Sequence, residues 1–98
     1  MNVREWVNGH STDLTIDDFI FAIGHLTGIP KSEILGGSKV PAIVRARHLF
    51  WACERELLKA SYAGMARKYG VDHSTIIYAV RKVPAELVEE VKVLCTTL

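Results

Sequence analysis

The sequence predicts an all-α, compact helical domain organised around a helix-turn-helix. Three observations carry that expectation. Apolar residues recur at helical spacing in at least four segments, and no stretch of useful length alternates with the period of a strand. Glycine and proline punctuate those segments at Gly28-Ile29-Pro30, Gly36-Gly37, Gly70 and Pro84, where helices are expected to end or begin. Between Ser61 and Val83 two short helical patterns stand on either side of a glycine turn.

Taken in order, Met1–Leu14 is an N-terminal extension that admits a short helix around Val3–Val7 and then a polar turn, Asn8-Gly9-His10-Ser11. Residues 15–98 make the domain proper. Thr15 with Asp18 three places on resembles a capping box, aspartate standing where glutamate or glutamine is usual. The helix it opens has Phe19, Ile20 and Ile23 as its apolar stripe, with Leu26 at the margin, and ends before Pro30, which cannot continue it. Lys31–Leu35 has room for one or two turns, with Ile34 and Leu35 as plugs, and Gly36–Pro41 is a loop. The longest pattern runs from Ala42 to Lys59, with Ala46, Leu49, Phe50, Cys53 and Leu57 inward and Trp51 or Leu58 widening the stripe. A last helix opens at Pro84 and turns Leu87, Val88, Val91 and Leu94 inward.

The glycine-centred pair is the most informative stretch. Tyr62, Met65, Ala66 and Tyr69 form one stripe; Gly70-Val71 breaks it, and Asp72 is placed to accept a backbone hydrogen bond as N-cap of the next helix. Ile76, Ala79, Val80 and Val83 then pack inward, leaving His73, Ser74, Thr75, Tyr78, Arg81 and Lys82 outward. Short polar side chains at the start of a second helix, with cations near its end, suit a recognition helix in a major groove. A solvated hairpin with an idle polar face would show the same pattern.

Ninety-eight residues suffice for one core, and an apolar fraction of 49% excludes a disordered tail. Cys53 and Cys95 have no CxxC or Cys/His ligand spacing, so neither metal nor cofactor is expected, and a reduced, cytoplasmic protein is the simplest reading. No signal peptide and no run of about 18 apolar residues is present, so no membrane partner is expected. The net charge is only +1, but it is unevenly spread. In residues 39–82 nine lysines and arginines meet three carboxylates, leaving +6, whereas residues 1–38 carry −3 and residues 83–98 carry −2. Such a basic block suits an electrostatic footprint for nucleic acid and equally a solvated face. Arg45, Arg47 and His48 cluster near the start of the long helix, where cations oppose the helix dipole and an anion is favoured. Pairing with Glu54 or Glu56 is the other reading.

The order of these motifs resembles one family. Arg45-Ala46-Arg47-His48, the pair beginning at Ser61, and Asp72-His73-Ser74-Thr75-Ile76 are similar to the C-terminal DNA-binding domain of the bacterial replication initiator DnaA, with its GRDHTTV-like signature. The resemblance covers roughly residues 15–83 and implies a DnaA C-terminal, Trp-repressor-like fold that binds double-stranded DNA sequence-specifically at origin sites. It implies that Arg47, or its neighbour Arg45, enters the minor groove and that Asp72, His73 and Ser74 read base edges. Thr75 would meet a phosphate or a thymine methyl. Those residue types suit the task, since aspartate accepts from cytosine and threonine offers both a hydroxyl and a methyl. Lys39, Lys59, Arg67, Lys68 and Lys82 are candidates for phosphate contacts, which position without specifying. Three departures are visible: Val71 replaces the signature arginine, the turn is one residue shorter, and Ala46 stands where a proline is usual. There is no GxxxxGK[ST] loop, so the expectation is a stand-alone regulator or accessory of replication initiation, not an enzyme, with replication proteins as further partners. A transcription regulator, or an interaction module that has lost its DNA contacts, is the competing reading. Asp72-His73-Ser74 cannot form a hydrolytic relay as neighbours on one helix start, and His10, His25 and His48 are expected at surface or boundary positions.

Overall fold

Thr15 opens the first helix as the sequence predicts: its hydroxyl accepts from the Asp18 N–H at 3.2 Å, and the Asp18 carboxylate accepts from the Thr15 N–H at 2.9 Å. The computed structural model describes Val3 and residues 14–97; the expected helix around Val3–Val7 and the polar turn after it lie, Val3 apart, outside the described residues. Among the described residues six helices follow one another and no strand occurs: α1 (Ile16–Thr27), α2 (Lys31–Ile34), α3 (Pro41–Leu57), α4 (Tyr62–Tyr69), α5 (His73–Lys82) and α6 (Ala85–Thr97).

The chain is arranged around α3, on which α1, α2, α5 and α6 all pack. Its inward stripe is apolar apart from Glu54, and Phe50, Trp51, Ala52 and Cys53 are buried together. Pro41 starts it with a pre-set φ and no N–H to leave unpaired. Phe19 and Ile23 from α1, Met65 from α4, Ile76 from α5 and Val91 from α6 fill the space around it. Each such side chain contributes roughly 1.5–3 kcal/mol on burial. The apolar stripes read from spacing are largely the buried ones, with several differences. Leu26, Leu35 and Leu87 are exposed, while Ala22 and Cys95 are buried in the core. Leu35 lies beyond the single turn of α2, whose plug is Ile34 alone. A further one is Glu54, a carboxylate within the core stripe.

The termini of α4 set the helix pair. Ser61 caps it, its hydroxyl accepting from the Gly64 N–H at 3.0 Å. A methyl group at Gly64 would come within 2.9 Å of that oxygen, so the cap fits this tightly only with glycine there. Gly70 ends α4 at φ 67°, a left-handed conformation costly for residues with a Cβ.

Candidate nucleic-acid interface

The turn between α4 and α5 is three residues long, Gly70-Val71-Asp72. Val71 is half-buried and packs against the core, so the position holding arginine in the family signature here holds an apolar plug. Asp72 occupies the N-cap position of α5, and its carbonyl accepts from the N–H groups of Thr75 and Ile76 at 3.0 and 3.3 Å. Its carboxylate makes no capping hydrogen bond, contrary to the sequence expectation, and stays on the exposed side of the turn. Ile76, Ala79 and Val80 bury one face of α5; His73, Ser74, Thr75, Tyr78, Arg81 and Lys82 are all exposed on the rest. The polar start of this helix is therefore presented by a fully packed inner stripe. Two aromatic contacts fix its ends: Tyr62 of α4 lies 6.2 Å from the His73 ring, with the Arg55 guanidinium 4.1 Å above Tyr62, and the Lys82 ammonium donates to the Tyr78 hydroxyl at 2.9 Å.

The two arginines of α3 have separate surroundings. Arg47 turns inward across the 34–38 loop and donates to three carbonyls: Ile34 from Nε at 2.9 Å, Ser38 at 3.0 Å and Glu33 at 3.2 Å. Its guanidinium holds the end of α2 and the loop after it onto α3. That is a structural task, and it alters the expectation that Arg47 is first in line as minor-groove reader. Arg45 is exposed and makes no hydrogen bond or ion pair among the described residues. The pairing with Glu54 or Glu56 considered for these arginines does not occur. Arg55 instead donates to the Ala60 carbonyl at 3.0 Å.

Glu54 is taken by α4. Only 3% exposed, it accepts from the Tyr69 hydroxyl and from the Lys68 ammonium at 3.3 Å. Burial first, and then the hydrogen bond to Glu54, push the Tyr69 phenol well above its ordinary range, so it stays a donor. Tyr69 also meets Phe50 and Trp51 edge-on or tilted, each with ring centres 5.9 Å apart. This cluster ties the helix pair to α3. The sequence carries a signal for it: Phe50, Cys53, Glu54 and Leu57 stand at i, i+3, i+4 and i+7, so Glu54 interrupts the apolar stripe from within. A carboxylate at such a position needs a buried partner.

Two grooves flank the N-terminal half of α3. One, of about 540 Å³, is lined by Arg47, His48, Trp51, Lys68, Tyr69 and Thr75 together with the Ile34–Gly37 segment and Val71. The other, of about 740 Å³, brings Arg45 and His48 beside Lys82 and the α5–α6 junction. The fold thus gathers Arg45, Arg47, Lys68, Thr75 and Lys82 around His48. Asp72, His73 and Ser74 stand on the exposed start of α5. Lys39, Lys59 and Arg67 are exposed and line neither groove. Lys59, at the far end of α3 from Arg45, lies about 20 Å along the helix axis from it. It has φ 59°, and the Ala60 N–H reaches back to the Glu54 carbonyl to close the helix. Among the described residues no three histidines, cysteines or carboxylates gather as a metal site, and no helix is long and apolar enough to cross a membrane. Both cysteines are buried thiols in no disulfide, Cys95 donating to the Asp18 carbonyl at 3.4 Å, and burial and the neighbouring Cys95 push the Cys53 thiol up to about 12.

A short helix, a three-residue glycine turn and a second helix half-buried beneath a polar outer face define a helix-turn-helix protein. Residues 16–83 match the bacterial dnaA protein helix-turn-helix family, and the chain belongs to that family. It is similar to the chromosomal replication initiator protein DnaA of Pelobacter propionicus, 27% identical over 93 residues that make 93% of this chain and 20% of that protein. The DnaA protein of Thermotoga maritima is 30% identical over 76% of this chain and 17% of the relative. That of Sphingopyxis alaskensis is 34% identical over 74% of the chain and 16% of the relative. The chain thus spans a fifth or less of the length of these relatives.

Proposed function

We propose that this domain binds double-stranded DNA sequence-specifically, at sites like those of the replication initiators it resembles, and acts there as a regulator or accessory of replication initiation with no nucleotide needed for binding. The observation that carries the reading is the start of α5. Asp72, His73, Ser74 and Thr75 are exposed in series on a helix whose opposite face is fixed by Ile76, Ala79 and Val80, and no side chain among the four caps the helix. Carboxylate, imidazole and hydroxyl groups held on a rigid helix start suit hydrogen bonding to base edges in a major groove. Arg45 is the arginine left over for the minor groove, since the guanidinium of Arg47 is engaged by carbonyls. Lys39, Lys59, Arg67 and Lys82 then face phosphates, with Lys68 contributing less because Glu54 neutralises much of its charge.

The experiment is a competition titration on a duplex carrying the family's usual site and on a scrambled duplex, over a range of salt. Four to five phosphate contacts give a slope of log affinity on log salt of about −4. His73→Ala is expected to lose about 1–3 kcal/mol on the specific duplex alone. A slope near zero would favour an interaction module with no DNA contacts. Equal losses on both duplexes would mean that α5 does not read bases.

A further inference from the structure

His48 lies where the two grooves meet, one helical turn beyond Arg45, and lines both. Its ring stacks on Trp51 with centres 5.7 Å apart and planes 23° from parallel, which fixes its plane. It makes no side-chain hydrogen bond among the described residues. The groups that line the grooves with it are cationic or neutral: Arg45 and Arg47 from its own helix, Lys82 from α5, and Lys68 and Tyr69 from α4, both held from behind by the buried Glu54 carboxylate; none of the residues lining either groove is a carboxylate. Such a pocket of cations is matched to an anion.

We propose that His48 is a further DNA contact, a phosphate ligand between the helix-turn-helix and Arg45 that takes up one proton as the duplex binds. The inference rests on the DNA reading above and deepens it. In the free protein, burial first and then Arg47 and Lys82 hold the imidazole below its ordinary 6.5, so it is neutral near neutral pH. A phosphate brought into the pocket reverses the sign of the local potential and favours the imidazolium, whose N–H then donates to a phosphate oxygen. The proton comes from solvent, and no bond is made or broken elsewhere. Affinity accordingly rises as pH falls, by up to about tenfold per pH unit between the free and bound pKa values of His48. In the protonated complex one more phosphate is neutralised, so the salt slope steepens by about 0.9.

The test titrates a mixed-sequence duplex of about 20 base pairs with wild type, His48→Gln and His73→Gln between about pH 5.5 and pH 8. His73 is included as the other histidine of the proposed interface, exposed on α5. The expected result is a pH dependence of affinity that persists in His73→Gln and flattens in His48→Gln, with His48→Gln converging on wild type at the alkaline end. The His48 Cε1–H resonance, followed by NMR with and without duplex, should titrate at higher pH in the complex. An unchanged pH profile in His48→Gln, or a His48 resonance whose midpoint stays the same or falls on adding DNA, overturns the proposal while leaving DNA binding standing. Failure of wild type to bind at any pH overturns the DNA reading and this one with it.

Discussion

Replacing Arg47 by alanine should unfold the domain at a lower temperature far more than it would remove a DNA contact. Its guanidinium donates to the carbonyls of Glu33, Ile34 and Ser38 at 3.2, 2.9 and 3.0 Å. Hydrogen bonds to charged groups contribute about 1.5–3 kcal/mol each, and the loss here is discounted because the Glu33 end is open to water. A net loss of about 2–3 kcal/mol remains. For a domain of this size each kcal/mol shifts the melting temperature by about 4–8 °C, so Arg47→Ala should melt on the order of 10–20 °C lower. Arg47→Lys should recover little, since one ammonium cannot span three carbonyls in a plane. Arg45→Ala, at an exposed position, should change stability by about 0.5 kcal/mol at most. On the specific duplex, however, it should cost about 1–3 kcal/mol. Thermal melts and binding titrations of both variants, the latter well below either melting point, separate the two roles. An Arg47→Ala protein that melts with wild type and loses more specific binding than Arg45→Ala would refute the reasoning.

The Glu54 cluster and the pH dependence of stability give two further outcomes. Glu54→Ala leaves the Tyr69 hydroxyl and the Lys68 ammonium without their common acceptor and should cost about 2–4 kcal/mol by urea denaturation. Lys68→Ala should lower the salt slope of DNA binding by clearly less than the roughly one unit expected of Arg67→Ala, because its ammonium is paired with Glu54 and Arg67 has no ion pair among the described residues. His48 has its folded-state pKa below the unfolded 6.5, so the folded protein binds fewer protons. Its contribution to stability is present above 6.5 and is lost as pH falls through the folded value. Urea midpoints should therefore drop more between about pH 7.5 and pH 5 for wild type than for His48→Gln, and equal drops would contradict the assignment.

The helices were legible because their signals are local. The Thr15–Asp18 box, the glycine at 70 and the i, i+3, i+7 spacing of Phe50, Cys53 and Leu57 each report on the turns in which they stand. The exposed row His73, Ser74, Thr75, Tyr78, Arg81 and Lys82 followed from the same periodicity. What spacing could not give is the partner of a polar side chain distant in sequence. Glu54 meets Lys68 and Tyr69, 14 and 15 residues on, and Arg47 meets carbonyls 9, 13 and 14 residues back. Leu26, Leu35 and Leu87 failed for a related reason: each sits at the edge of a stripe or past a helix end, where burial depends on what packs alongside.

The division of labour between Arg45 and Arg47 follows from helix geometry. Residues two apart on an α-helix point about 200° away from each other, so both arginines cannot address one surface. One of them faces whatever packs on that side of α3, and here that is the end of α2 and its loop. α2 has a single turn, so its last carbonyls have no partner inside the helix and need donors from elsewhere. Ile34, fully buried, fixes the loop's position, and a forked donor such as guanidinium reaches the Glu33 and Ile34 carbonyls at the end of α2 and the Ser38 carbonyl of the loop at once. Arg47 is the residue on that side. The loop it holds leads directly to Lys39, a proposed phosphate contact, so on that proposal Arg47 counts in binding without touching DNA. At low temperature, where Arg47→Ala is still folded, its loosened loop should weaken binding to specific and scrambled duplexes alike. Arg45→Ala should lose affinity on the specific duplex and compress the ratio between the two. If Arg47→Ala compresses that ratio instead, its guanidinium leaves the three carbonyls when DNA binds, and the brace is a resting position of the minor-groove reader.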